Sequence, residues 1–118
     1  NTEKPTTKIL NDGGQLWILG LKTERGGTLI ETRNGGKTEL IGGFAYATSG
    51  PKTEPMFVID NSSASFTIGE SCFNGNPFTT LVKETRDGET RTLTEDDAPP
   101  RTGGSMFPLY LGVPKKEN

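Results

Sequence analysis

Short runs of alternating apolar and polar residues, each ending at a turn-forming residue, make up most of this chain. The clearest run is Ala64–Glu70, in which Ala64, Phe66 and Ile68 alternate with serine, threonine and glycine. Such alternation places one face of a strand against a core and the other in water. The pattern predicts a half-buried β-strand in this segment.

Similar runs of about five to ten residues recur along the chain, and this is the length of strands rather than helices. Asn-Gly and Asp-Gly pairs separate them, because both residue types accept positive φ at little steric cost. The predicted strands are Gln15–Lys22, Thr28–Arg33, Lys37–Ala47, Met56–Asp60, Ala64–Glu70, Phe78–Thr85, Thr90–Thr94 and Met106–Val113. Turns are predicted at Asn11–Gly14 and near Gly35, Ser62 and Gly88, and an exposed loop at Glu95–Arg101.

The turn centres, counted from Gly13, are separated by about 22 to 27 residues. One coil of a β-solenoid has a period in this range, since it holds two or three short strands and their corners. The spacing therefore predicts an all-β, solenoid-like fold. A run of hairpins in an antiparallel β-sandwich gives nearly the same punctuation and is the alternative.

Composition sets the size of the fold and its core. The chain has 118 residues, 16 of them Gly and 8 Pro, and only 30% are hydrophobic. A single domain with a thin or extended core is expected. We predict an extended N-terminal arm at residues 1–8, one all-β domain at 9–113 and a charged C-terminal tail at 114–118. The start at Asn1 rather than Met suggests a mature product or an excised piece of a longer protein.

Charge and residue usage exclude several function classes. The formal net charge is −2 and basic residues are interspersed with acidic ones, so no nucleic-acid partner is expected. No apolar run approaches the roughly 20 residues that a membrane helix needs, so no membrane partner is expected either. With Cys72 as the one cysteine and no histidine, the chain lacks the ligands of zinc sites and the usual base for a thiol nucleophile.

Two strings within Leu16–Tyr46 carry a resemblance to a known family. Trp17-x-x-Gly20-x-Lys22-Thr-Glu is followed by Gly42-Gly-Phe-x-Tyr46. This segment resembles the C-terminal coils of right-handed parallel β-helix proteins of the pectate-lyase-like superfamily. The resemblance implies a short right-handed parallel β-helix, acting on or lying beside polysaccharide in an extracellular or periplasmic location. It brings no catalytic centre, because the aspartates here lie in or beside predicted turns.

Lys22 and Arg25 are weak candidates for catalysis. A base with a pKa lowered by neighbouring cations can abstract the proton α to a uronate carboxyl, which is the lyase reaction. The other interpretation is that Lys22 and Glu24 form an ion pair at a corner of the fold. For metal binding, the weak candidates are Glu95, Asp96 and Asp97, whose carboxylates could hold calcium on a loop or simply be solvated. No other cofactor is expected.

Aromatic side chains are the candidates for carbohydrate binding, because a pyranose ring stacks its apolar face on them among polar groups. The predicted carbohydrate-binding residues are Trp17, Lys22, Glu24, Tyr46 and Tyr110. Trp17 is available only if Ile18 points into the core, since neighbouring residues of a strand point to opposite faces. If Trp17 points inward, it is a core residue.

The leading hypothesis is a non-catalytic β-helix-like module of a secreted carbohydrate-active protein, which contacts polysaccharide or completes a larger solenoid. Its expected partners are a polysaccharide or the remainder of a larger β-helix protein. One alternative is a fragment of a polysaccharide lyase. Another is a structural oligomerisation module, since exposed strand edges pair with other chains and would give a homo-oligomer.

Overall fold

The computed structural model describes residues 7–24, 27–46, 54–71, 78–97, 100–101 and 104–112. Within these ranges the chain is all-β, with a short 3-10 helical turn at Glu95–Asp97. The strands are β1 (Ile9–Asp12), β2 (Gln15–Glu24), β3 (Ile30–Arg33), β4 (Lys37–Tyr46), β5 (Phe57–Asp60), β6 (Ser63–Ser71), β7 (Thr80–Arg86), β8 (Glu89–Thr94), β9 (Pro100–Arg101) and β10 (Gly104–Gly112). No helix in the described ranges is long and apolar enough to cross a membrane.

The strands form two five-stranded sheets between which the chain alternates. Sheet A has the order β1-β3-β5-β7-β8 and sheet B the order β2-β4-β6-β10-β9. Neighbours from β1 to β7 in sheet A and from β2 to β6 in sheet B are parallel. The β7–β8, β6–β10 and β9–β10 pairs are antiparallel. The sheets are therefore mixed. The alternative prediction of an antiparallel sandwich is wrong where the strands pair in parallel.

Three successive strand pairs stack on one another, and we call β1–β2, β3–β4 and β5–β6 the first, second and third layers. Within each layer a predicted turn carries the chain from sheet A to sheet B, whereas the turn at Gly88 closes the β7–β8 hairpin. Asn34, Asn61 and Asp87 occupy these turns with φ of 55°, 45° and 53°. Asn and Asp tolerate this left-handed conformation better than other side chains, which explains why they stand there.

The core lies between the inward faces of the two sheets. Phe57 of sheet A stacks on Phe66 of sheet B, with ring centroids 3.9 Å apart and planes 8° from parallel. Aliphatic side chains surround this pair; the buried hydrophobic residues are Leu29, Ile30, Leu40, Ala45, Met56, Phe57, Ile59, Ala64, Phe66, Ile68, Phe78, Leu81 and Val82. Removing these side chains from water drives the two sheets together.

One predicted turn is partly wrong. Asn11 and Asp12 were expected in a turn but end strand β1, paired with β3. The Asn11 side chain is buried, accepts a hydrogen bond from the Gly14 N–H, and donates to the carbonyls of Gly14 and Lys37 and to Thr38 Oγ1. These bonds satisfy a buried amide and tie the first layer to the second.

The predicted loop at Glu95–Arg101 is also wrong in part, because it contains the 3-10 turn and strand β9. The described strands run from Ile9 to Gly112, within the predicted domain of residues 9–113. Residues 1–6 of the predicted arm and the whole predicted tail, 114–118, lie outside the described residues.

Candidate functional site

The outward face of sheet B presents Trp17 to solvent. Ile18 packs against the core, so strand alternation turns its neighbour outward. The Trp17 side chain is 63% exposed, and Leu19, two residues further along the same face, is 79% exposed. The condition that the sequence set for Trp17 as a binding residue is therefore met.

The strand register aligns Trp17 with three other outward side chains. Trp17 pairs with Glu39, Glu39 with Ser65, and Ser65 with Leu111, one residue on each of β2, β4, β6 and β10. Neighbouring strands lie about 4.8 Å apart, so these four side chains form a continuous row across the sheet. We call them the Trp17 row.

A shallow groove of about 290 Å³ follows the Trp17 row. A second row, offset by two residues toward the turns, contributes Lys37 and Ser63 to its lining. The lining residues are Leu16, Trp17, Lys37, Thr38, Glu39, Ser63, Ala64, Ser65 and Leu111. The groove thus combines an indole ring with a carboxylate, an ammonium group and hydroxyls.

The polar groups of the Trp17 row have no partner among the residues that the structure describes. In the part of the chain that the structure describes, no hydrogen bond or ion pair uses the side chains of Trp17, Glu39 or Ser65. An indole N–H, a carboxylate and a hydroxyl are strong hydrogen-bonding groups. They are therefore available to a ligand lying in the groove.

Two aligned glycines with positive φ lie in sheet B beside this groove, and we call this position the Gly20–Gly42 bend. Gly20 and Gly42 have φ of 81° and 79° and lie between the Leu19–Ile41 and Leu21–Gly43 pairs, which share one register. Positive φ at a strand position favours glycine, and a Cβ at either site would meet no atom within 4 Å. The bend divides the outward face of sheet B into the Trp17 groove and a second zone.

The second zone holds three of the predicted carbohydrate-binding residues. Lys22 Nζ lies 3.3 Å from Glu24 Oε1, and both side chains are exposed. Tyr46 is aligned with Glu24 and lies beside Phe44, with ring centroids 6.4 Å apart. The structure thus brings Lys22, Glu24 and Tyr46 together but leaves the Gly20–Gly42 bend between them and Trp17.

The remaining predicted site residues are placed less completely. The backbone of Tyr110 pairs with Phe66, but its side chain and the whole of Arg25 lie outside what is described. Asp97 accepts hydrogen bonds from the Thr94 N–H and hydroxyl within the 3-10 turn. No group of three or more His, Cys, Asp or Glu side chains in the described ranges could hold a metal ion, so the acidic turn gains no support as a calcium site.

Among the described residues, each candidate catalytic group either forms an ion pair or lies away from a second carboxylate. Lys22 has the ion pair with Glu24 that the sequence suggested as its structural role. Glu31 and Glu39, which flank one turn, lie in different sheets. Because they lie in different sheets, these carboxylates do not face each other across paired strands, as a glycosidase pair beside a tight turn would. Glu31 instead lies 3.7 Å from Arg33 in an ion pair.

Sequence reasoning missed Lys37, Glu39 and Ser65 as groove residues. A signal existed: Gly20 and Gly42 are 22 residues apart, and applying this offset to Trp17 identifies Glu39 as its neighbour. The same offset places Lys37 beside Gln15. A comparison of this chain with protein-family models, with curated proteins and with solved structures finds no match.

Proposed function

We propose that this chain is a non-catalytic, β-helix-like module of a secreted carbohydrate-active protein and that it contacts polysaccharide through the Trp17 groove. Two features support the β-helix assignment. The layers stack in parallel with aligned turns, and the segment that resembles pectate-lyase-like proteins falls on β2 and β4.

The observation that carries the proposal is the exposed indole beside unpaired polar groups. A water-exposed Trp ring offers a flat apolar surface on which a pyranose ring can stack. Leu19 and Ile41, 79% and 49% exposed, extend the apolar surface next to it, and clustered apolar exposure marks binding surfaces more often than chance. Glu39 and Ser65 lie within reach of the hydroxyls of a sugar stacked on Trp17.

We assign no catalytic role to the second zone. Lys22 forms an exposed ion pair with Glu24, and its aligned neighbour on β4 is Phe44. This zone offers further contact surface to a long glycan that crosses the Gly20–Gly42 bend.

Intrinsic fluorescence tests the proposal directly, because Trp17 is the one tryptophan of the chain. A soluble polysaccharide that binds the groove should shift the Trp17 emission to shorter wavelength and protect it from acrylamide quenching. In affinity electrophoresis, the Trp17→Ala variant should lose retardation by the same polysaccharide. The matched control is Leu10→Ala, which removes an exposed side chain from sheet A; equal retardation losses in both variants would count against the groove.

A second role, completing a larger solenoid, is favoured by the open edges of the first layer. β1 and β2 end the described order of their sheets on the same side, whereas β8 and β9 end the other side. Ile9 and Ile18 are only partly buried, although their aligned neighbours Ile30 and Leu40 are buried. A preceding coil stacked on this edge would complete their burial.

In isolation, the same edge is expected to pair with a second copy. The Gly14 carbonyl accepts from the Lys37 N–H, so by alternation the N–H groups of Gln15, Trp17 and Leu19 face the free edge. Sedimentation should show association that increases with concentration and weakens in Leu19→Pro but not in Leu19→Ala. If the chain stays strictly monomeric at high concentration, the free edge does not pair with a second copy.

A further inference from the structure

The charge pattern of the Trp17 groove points to the class of glycan it binds. Among the described residues lining the groove, Lys37 and Glu39 are the charged ones, and their formal charges cancel. They occupy different positions. Glu39 is half-buried in the middle of the Trp17 row, flanked by Trp17 and Ser65, whereas Lys37 is exposed in the neighbouring row.

The central position of Glu39 decides which ligand groups fit. An ionised carboxylate only accepts hydrogen bonds, so its partner must donate. A pair of neighbouring sugar hydroxyls can donate to both carboxylate oxygens at once, and such charge-assisted bonds are stronger than neutral ones. A uronate residue stacked on Trp17 would instead bring its own carboxylate toward Glu39, where like charges repel.

Lys37 does not reverse this preference. Its ammonium group is exposed, and ion pairs in water at such positions contribute little. A partly buried charge like that of Glu39 is screened less by salt and water. The carboxylate therefore dominates the selectivity of the groove.

The length of the row favours a chain over a single sugar. Four side chains on neighbouring strands extend over about 14 Å, three times the strand spacing. This exceeds one pyranose ring, and Leu111 at the far end is 61% exposed and offers a second apolar contact. We infer that the groove binds a neutral, hydroxyl-rich polysaccharide chain lying across the strands and discriminates against polyuronates; this inference rests on the proposed function.

The experiment compares neutral and acidic oligosaccharides of equal length. Cello-, xylo- and manno-oligosaccharides and oligogalacturonate are titrated into the full chain at low salt, with Trp17 emission and isothermal calorimetry as readouts. At least one neutral oligosaccharide should bind, with affinity that rises up to the length of the row, while oligogalacturonate should bind at least about tenfold more weakly.

Two single substitutions on β4 separate the contributions of the charges. Glu39→Gln removes the repulsion and keeps a hydrogen-bonding side chain, so it should raise oligogalacturonate affinity about tenfold. Lys37→Gln is the matched comparison: it removes the other charge of the groove and should not improve oligogalacturonate binding. Circular dichroism of both variants should match the parent, because both side chains lie on the outward face.

The outcomes distinguish the inference from the proposed function. Tighter binding of oligogalacturonate than of every neutral oligosaccharide, lost in Trp17→Ala, would overturn the neutral-glycan inference and leave the glycan-contacting function standing. If Glu39→Gln does not change the preference for neutral over acidic oligosaccharides, the neutral-glycan inference is likewise overturned and the glycan-contacting function stands. If no oligosaccharide of either class binds, both the inference and the polysaccharide-contacting function fall.

Discussion

Two inward threonines of the chain differ in how their hydroxyls are satisfied. Thr23 Oγ1 is buried with no hydrogen-bond partner among the described residues, whereas Thr38 Oγ1 lies 2.7 Å from Thr32 Oγ1 and accepts from Asn11. Thr23→Val replaces an unsatisfied hydroxyl by a methyl group and should raise the free energy of unfolding by about 1 kcal/mol. Urea denaturation measures the change.

Thr38→Val is the matched control for that prediction. The same exchange there removes the hydrogen bond between Thr38 and Thr32 and one of the hydrogen bonds of Asn11. It should lower the free energy of unfolding by about 1 to 3 kcal/mol. Equal destabilisation by both substitutions would show that the Thr23 hydroxyl does have a hydrogen-bond partner, and it would contradict the prediction.

Asp12, at the first turn, has a pKa that its neighbours lower. Asn34 donates a hydrogen bond to its carboxylate, and Arg33 adds a second bond and an opposite charge. We expect Asn34→Gly, which keeps the positive φ of the turn but removes the amide, to raise the pKa of Asp12 toward its ordinary value. A carboxyl NMR titration measures it, and Asn61→Gly at the next turn is the control.

The sign of the pH effect follows from the direction of that shift. A carboxylate with a lowered pKa stabilises the fold above its unfolded-state pKa of about 3.9, and the contribution is lost as pH falls through the folded-state value. Acid unfolding of Asn34→Gly should therefore begin at a higher pH than that of the parent. An unchanged Asp12 titration would contradict the role of Asn34.

At the scale of elements, the Gly20–Gly42 bend of sheet B depends on two glycines with positive φ. Gly42 has space around it but a φ of 79°, whereas a Cβ on Gly43 would lie 3.1 Å from Ile68. Gly42→Ala should therefore destabilise by about 1 to 2 kcal/mol through backbone strain alone. Gly42→Asn should cost less, since Asn tolerates the left-handed region.

Thermal unfolding of these two variants and of Gly43→Ala tests the prediction. Gly43→Ala should be destabilising through crowding with Ile68 and Leu40 rather than through φ. If Gly42→Asn lowers the free energy of unfolding as much as Gly42→Ala does, backbone strain at positive φ is not the cause of the destabilisation.

The strands could be read from the sequence because alternation is a local signal. The predicted Ala64–Glu70 lies within the observed Ser63–Ser71, and the other predicted strands match to within about one to three residues. Strand β1 was not predicted, because the burial of Asn11 depends on Lys37 and Thr38, far away in the chain. The turn sequences did not reveal parallel pairing either. Turns of this kind occur both in hairpins and between the two strands of a layer.

The candidate site was only partly readable for a related reason. The orientation of Trp17 followed from that of Ile18, which local alternation constrains. The neighbours Glu39 and Ser65 depend on the register between three strands, and that register shifts between Leu40 and Phe44. Residues that meet only through long-range pairing leave no local pattern.

At the scale of the whole molecule, the two ends of the stacked layers differ, and stability should follow this asymmetry. Among the described strands, the first layer pairs on one side only and leaves Ile18 partly buried. The third layer lies between neighbours and buries Phe57 and Phe66 completely. In stacked architectures each unit is stabilised by its neighbours. Local opening should therefore start at β1 and β2 and reach β5 and β6 last.

Native-state hydrogen exchange measures this gradient residue by residue. Amides of β2 that bond to β4 should exchange at least about tenfold faster than amides in β6, a difference of roughly 1.4 kcal/mol in opening free energy. Ile18→Ala should also lower the global free energy of unfolding less than Phe66→Ala, because less buried surface is lost. Equal protection of β2 and β6 would mean that the first layer opens only with the whole domain, and its free edge would then need no further coil to stabilise it.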